Sequence, residues 1–194
     1  ITIPPNIAKM GYKGVETTEL VFEGHRVPAS DLLGGEEGRG LQQVLDGIEV
    51  GRVNVSARAT GVATRAFEEA IAYAQNRVAF GKPIAEHEGI TFMLADMGTK
   101  LQAARLMLLS AAKKKTDGSR ADLEAGMAKL YCAEACHQIV TDALRIHGGY
   151  GYSKEYTIER LYRDAPFLLI GEGTSEIQKL VVGKGLLERY KIQA

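Results

Sequence analysis

Near the end of this chain one carboxylate stands between two glycines, in Gly171-Glu172-Gly173-Thr174-Ser175-Glu176-Ile177-Gln178. Flanking glycines let backbone and ligand come close to Glu172. The Ser175-x-x-Gln178 spacing is a capping box, which predicts a helix opening at once downstream. A carboxylate on a tight bend at a cavity wall can serve as a general base if desolvation raises its pKa into the working range. The same pattern also describes a solvated turn glutamate, because glycine-flanked acids are common in turns.

Other residues with chemical potential are fewer. Asn76-Arg77-Val78-Ala79-Phe80-Gly81-Lys82-Pro83 breaks a helical pattern with Gly and Pro, and its guanidinium suits a phosphate as well as it suits solvent. Gly148 and Gly149 follow a helical run and permit left-handed backbone there, leaving main-chain groups free for a ligand. Cys132 and Cys136 stand one helical turn apart beside His137; a metal site needs two further ligands that the sequence does not supply, so no metal is expected. Four residues apart on a helix they also lack disulfide geometry, and they read as buried thiols of a reducing compartment. His147 reads as structural, Tyr150 and Tyr152 as packing residues, and Arg160, Arg163 and Asp164 as a partly buried ion network.

The elements that must position these groups are mostly helical. Leu41, Val44, Leu45, Ile48, Val55, Ala59, Val62, Ala63, Ala66, Phe67, Ala70 and Ala74 recur at three and four, predicting one long amphipathic helix ending near Arg77. Gly61 inside it reads as a helix-packing glycine, and Gly51 as a point of close approach. A second helix spans about Ile84 to Lys115, with Phe92, Leu94, Ala95, Leu101, Ala104, Leu108, Leu109 and Ala112 on its apolar face. Lys113-Lys114-Lys115 suits its C-terminus. Ser119-x-x-Asp122 starts a third, whose seam of Ala121, Ala125, Ala128, Cys132, Ala135, Ile139 and Ala143 is small enough for close helix packing. A short helix follows from about Tyr156, and a last one runs from about Thr174 to Tyr190. Residues 1–35 are rich in strand formers around Gly24, predicting one or two strands and then a Pro-Ala-Ser-Asp turn.

At 194 residues and 45% hydrophobic content the chain can bury one sizeable core. Its 24 basic and 24 acidic residues balance, so no charged face argues for nucleic acid or an anionic membrane. No apolar run reaches the roughly 20 residues that span a bilayer.

Taken together, His147-Gly148-Gly149-Tyr150-Gly151-Tyr152, Glu159-Arg160-Leu161-Tyr162-Arg163-Asp164-Ala165 and Gly171 to Gln178 closely resemble the C-terminal signature of the acyl-CoA dehydrogenase family. The resemblance implies an all-α, antiparallel four-helix bundle at 36–194, behind residual strands of a middle β domain at 1–35. It also implies that the chain is a fragment of a protein about twice as long. By resemblance Glu172 is the catalytic base that removes an α-proton from an acyl-CoA thioester. FAD is then held by Arg77, Phe80, Arg145, Gly148, Gly149, Thr174 and Glu176, those at Arg77 and at Gly148-Gly149 reaching a neighbouring subunit's flavin. Arg52, Gly171, Gly173 and Lys184 lie with the substrate. Some relatives carry the base on the first long helix just before the arginine, where this chain has Gly51. Gly171 stands where many carry a tyrosine walling the acyl pocket. The resemblance further implies a homo-oligomer, an electron-transfer flavoprotein as acceptor, and a bacterial cytoplasmic or mitochondrial matrix location. An acyl-CoA oxidase is the near alternative; a non-catalytic oligomerisation module is the distant one.

Overall fold

Apolar and small residues recurring at three and four along the chain build five helices in the computed structural model, which describes residues 1–192. These are α1 (Gly40–Asn76), α2 (Glu88–Thr116), α3 (Asp122–His147), α4 (Thr157–Ile170) and α5 (Ser175–Arg189). Three are long and two are short, and α4 extends through the apolar run Phe167-Leu168-Leu169-Ile170, farther than expected. Between α1 and α2 a small antiparallel hairpin pairs β1 (Val78–Ala79) with β2 (Lys82–Pro83). Its turn places Phe80 and Gly81 at φ 53° and 82°.

α3 is the central helix and packs against α1, α2, α4 and α5. Ala121, Ala125, Ala128, Cys132, Ala135, Ile139 and Ala143 are all buried, as their spacing predicts. Side chains of this size let neighbouring helix axes approach closely. α1 answers with Val55, Ala59, Ala63, Ala66, Ala70 and Ala74, and the core cluster continues into Ile158, Leu161, Ala165 and Leu168 of α4.

Periodicity overstates the core at two places. Leu41 is 74% exposed, and Val44 and Leu45 are also exposed, so the first turns of α1 extend beyond the bundle. On α2 the buried stripe is Met97, Leu101, Ala104 and Ala111, while Phe92 and Leu109 face outward. Gly61 does not serve close packing either: a Cβ built there meets nothing within 4 Å.

The expected N-terminal strands form only an isolated antiparallel bridge between Thr2 and Val21, and the short sheet lies instead at Val78–Pro83. Strand formers without a partner of matching length gain no ladder, and two-stranded pairs are marginal in water. This segment is held to α4: the Tyr12 amide donates to Asp164 Oδ1 at 2.7 Å, and Arg163 Nη1 donates to the Met10 carbonyl at 3.0 Å. Arg163 also forks onto both carboxylate oxygens of Glu159. The predicted turn at Pro28-Ala29-Ser30-Asp31 is a 3-10 turn. Among the described residues no helix is long and apolar enough to cross a membrane.

Charges join the helix ends. The predicted Ser119 cap of α3 is replaced by a long-range one, in which the Ala121 amide donates to Glu49 Oε1 of α1 at 2.7 Å. Lys115, in the last turn of α2, pairs with the other Glu49 oxygen at 3.0 Å. Glu124, in the first turn of α3, accepts from Lys114 of α2 at 2.7 Å and Arg189 of α5 at 2.6 Å. Burial alone raises the Glu124 carboxyl, but those two cations outweigh it and hold it at about 2. An unfolded glutamate titrates near 4.3, so this clamp contributes stability in full above about pH 4.5 and loses it as pH falls toward about 2. Glu124→Gln is expected to flatten the pH dependence of unfolding over that window. Denaturant titrations at pH 6 and pH 3 check it; a variant that loses as much stability as the parent between them would refute the clamp.

Candidate functional site

The α4–α5 connection is the four-residue bend Gly171 to Thr174, and Glu172 is the only one of the four with a long side chain. α4 ends with the Gly171 amide bonded back to Phe167, and Glu172 then takes φ +56°, a left-handed conformation uncommon for a residue with a Cβ. Gly173, at φ +91°, turns the chain into α5. The cap of α5 is Thr174, whose Oγ1 accepts from the Ile177 amide at 3.3 Å, rather than Ser175. Gln178 does not reach an amide as a capping box requires. Its Nε2 donates to the Glu172 carbonyl at 3.1 Å and to the Gly173 carbonyl at 3.2 Å.

The bend carries Glu172 onto α1. A Cβ built at Gly51 would lie 2.5 Å from Glu172 Oε2 and 2.7 Å from its Cδ, so the carboxylate occupies the volume that any other residue at 51 would claim. Glu172 is nonetheless exposed. Next to Gly51, Arg52 is buried at 9% exposure, with Nη1 3.5 Å from Asp122 Oδ1. Among the described residues Arg52 Nε, Ser175 Oγ and Gln178 Oε1 are buried polar atoms without a hydrogen-bond partner. The carboxylate thus stands at the rim of a polar cluster drawn from α1, α3, the bend and α5.

Lys129 of α3 lies beneath the bend, fully buried, and sequence reasoning missed it. Its Nζ donates to the Leu169 carbonyl at 3.0 Å and to the Gly173 carbonyl at 2.6 Å. The one available signal was its position, in step with Ala125, Ala133 and Cys136 on a helix that buries most of its surface. Glu49, the buried carboxylate of α1, is engaged in capping α3 and pairs with Lys115.

Beside the bend, a Cβ at Gly171 would lie 3.0 Å from Cζ of Phe167. The aromatic ring of Phe167 therefore takes up part of the room that a side chain at 171 would fill. Thr174 is half-buried at the cap, while Glu176 and Lys184 are exposed on α5. The Glu176 carboxyl is lowered by its own amide and by Thr174.

A second grouping forms at the far end of α3. Arg77, Gly148 and Gly149 line one cleft of about 460 Å3 with Tyr73, Ile84, Ile146, His147 and Tyr150. Gly148 has φ +58°, and a Cβ at either glycine meets nothing within 4 Å, so the main chain is open to a ligand. The Arg77 guanidinium lies 5.6 Å from the centroid of the Tyr150 ring, and His147 stacks on Tyr73 at 4.3 Å while its Nδ1 bonds the Ala143 carbonyl. Phe80 is 96% exposed on the hairpin turn, and Arg145 is exposed with Asp142 as its ion-pair partner at 3.3 Å. Tyr152, read as a packing residue, is 89% exposed because it sits on the outside of the 3-10 turn Gly148–Tyr152. Lys129 and Gly148 are about 28 Å apart along the axis of α3, so the two groupings are separate places.

Cys132 and Cys136 are free and buried; burial raises both thiols, that of Cys136 to about 12. Among the described residues no three His, Cys, Asp or Glu side chains cluster to hold a metal.

Comparison with known proteins gives this geometry a lineage. The family profile "Acyl-CoA dehydrogenase, C-terminal domain" matches residues 38–187. The chain is 48% identical over 180 residues to the 3-(aryl)acrylate reductase of Clostridium sporogenes, covering 93% of this chain and 48% of that protein. It is 43% identical over 189 residues to a caffeyl-CoA reductase–Etf complex subunit of Acetobacterium woodii, covering 97% and 50%. Among solved structures, butyryl-CoA dehydrogenase of Megasphaera elsdenii superposes with a TM-score of 0.94 at 41% identity, over 96% of this chain and 48% of that one. The chain spans about half the length of the curated relatives it matches. The fold, the profile match and these identities agree: the chain belongs to the acyl-CoA dehydrogenase family.

Proposed function

We propose that this chain supplies the catalytic base and part of the flavin cradle of an FAD-dependent acyl-CoA oxidoreductase, with Glu172 as the base. The observation that carries the reading is the placement of Glu172: an exposed carboxylate on a left-handed bend, lying over a position of α1 that has no side chain. A group that must meet a substrate needs free access on one side and a fixed backbone on the other, and Glu172 has both. Gly51 puts no carboxylate opposite Glu172 on α1, and Glu49 is committed to the end of α3.

Glu172 removes the α-proton of an acyl thioester in this reading, and its own backbone N–H would donate to the thioester carbonyl as charge develops there. A bound FAD would supply the hydride acceptor for the β-carbon; with H+ and H− both lost, the substrate would become a trans-2-enoyl thioester. Run backwards, the protonated Glu172 returns the proton to the α-carbon; the reductase names of two relatives support that direction as a working mode of the same residues. Arg52, Gly171, Gly173 and Lys184 belong to the acyl-CoA side in this reading.

The residues fit a flavin in two separate places. Thr174 and Glu176 at the start of α5 present polar groups and free N–H donors beside the base. Arg77, Gly148 and Gly149 offer an open main chain and a guanidinium suited to phosphate, with Phe80 and Arg145 at the margin. Their separation of about 28 Å favours two cofactors over one: the chain's own at α5, and a neighbouring subunit's at Arg77. A homo-oligomer follows from that arrangement. An electron-transfer flavoprotein is the proposed redox partner, as the name of the Acetobacterium woodii complex suggests.

In the protein that carries this chain, Glu172→Gln is expected to keep flavin and ligand binding and to slow flavin reduction by an acyl-CoA about 10²- to 10⁴-fold, the usual worth of a general base. Rapid bleaching of the variant by a good substrate would remove Glu172 from the role. Gly171→Tyr, combined with Phe167→Leu to relieve the 3.0 Å contact, is expected to lower kcat/KM for a ring-bearing acyl-CoA about tenfold while sparing butyryl-CoA, a loss of roughly 1 to 3 kcal/mol. Equal losses for both substrates would assign Gly171 to the geometry of the bend instead of the acyl pocket.

A further inference from the structure

A fully buried lysine in the small-residue seam of α3 needs a reason, because an Ala or Met there would pack without the cost of desolvating a charge. Lys129 spends its donors on two carbonyls only, Leu169 in the last turn of α4 and Gly173 in the bend. Gln178, also fully buried, donates to the carbonyls of Glu172 and Gly173. One side chain from α3 and one from α5 thus grip main-chain oxygens on both sides of the Glu172 Cα. Last-turn carbonyls of a helix lack intrahelical donors and carry partial negative charge, so a cation at the end of α4 is favourably placed. The bend needs such a grip, because Glu172 sits at φ +56°, which costs of order 1 kcal/mol or more for a non-glycine residue.

We propose that Lys129 is a positioning residue: its buried ammonium pins the 169–173 main chain so that the Glu172 carboxylate stays over Gly51. The inference rests on Glu172 being the base. The charged groups facing Lys129 are Glu134 on its own helix, Glu176 of α5, Arg52 of α1 and Glu172 itself. Burial pushes the Lys129 ammonium down from the ordinary lysine range, the three carboxylates raise it, and Arg52 lowers it.

The test uses two variants of the protein that carries this chain. Lys129→Met removes donors and charge together, whereas Lys129→Gln keeps an amide donor and removes the charge alone. Lys129→Met is expected to cut kcat tenfold or more. Lys129→Gln is expected to recover most of kcat. Amide hydrogen exchange at Gly171 and Ile177, whose N–H groups bond the Phe167 carbonyl and Thr174 Oγ1, is expected to speed up about tenfold in the Met variant and less in the Gln variant, with global unfolding little changed. A Met variant within twofold of the parent, with unchanged exchange, overturns the proposal. So does a loss of kcat that is equal in both variants and follows a lower Tm, with exchange no faster at the bend than elsewhere, since a purely structural role gives that result. Glu172→Gln measured alongside separates the two readings. If it still reduces flavin, the base assignment fails, and exchange at the bend continues to judge the tether. If it is inactive while Lys129→Met is unimpaired, the tether alone fails.

Discussion

The close approach of α1, α4 and α5 to α3 is the constraint on which the rest of this molecule depends. It is possible because α3 presents alanine and cysteine where most helices present leucine. Small side chains shorten the distance between axes and bring backbones near enough for one element to bond another's main chain. Each such contact at the site draws on that proximity. Lys129 reaches carbonyls of α4 and the bend, Glu49 of α1 reaches the first amide of α3, and Gly126 admits Val181 and Val182 of α5 within 3.3 to 3.5 Å of where a Cβ would lie. Larger residues on α3 would hold the helices apart and release the bend.

Within that frame the buried and half-buried charges act as joints between helix ends. Glu49, Glu124 and Lys129 each satisfy groups from at least two other elements, and each sits where a helix terminus leaves main-chain donors or acceptors, or cationic side chains, in need of a partner. Breaking one side of such a joint leaves a desolvated group behind, so these contacts fix register more sharply than apolar packing does. The polar cluster beneath the bend follows the same logic. Lys129 and Gln178 bond backbone oxygens, and among the described residues neither ties the Glu172 carboxylate into an ion pair.

The two candidate places differ in character. The bend is polar and bonded through its carbonyls to Lys129 and Gln178, with a single outward carboxylate. The cleft at Arg77 and Gly148 is open, lined by aromatic and aliphatic side chains around a glycine turn, and suits an extended ligand with a phosphate. α3 spans the distance between them, so the helix that orders the core also sets the spacing of the two sites.

Much of this was legible in the sequence. The periodicity gives α1 and α3 nearly to their ends and α3's buried seam residue by residue, because a helix's own face depends only on local spacing. Gly-Glu-Gly marks the bend, since only a backbone freed by glycine turns so sharply ahead of a helix. The tertiary structure alone decided what those elements meet. It put Glu172 over Gly51, more than a hundred positions earlier in the chain, gave the cap of α3 to Glu49 in place of Ser119, and moved the cap of α5 from Ser175 to Thr174. It also left Leu41, Val44 and Phe92 bare despite their place on apolar stripes, because a stripe says which face is apolar and not how far the neighbouring helix extends along it. Lys129 was invisible for the same reason: whether a lysine points to water or to the carbonyls of another helix depends on where that helix ends, and no local spacing records it.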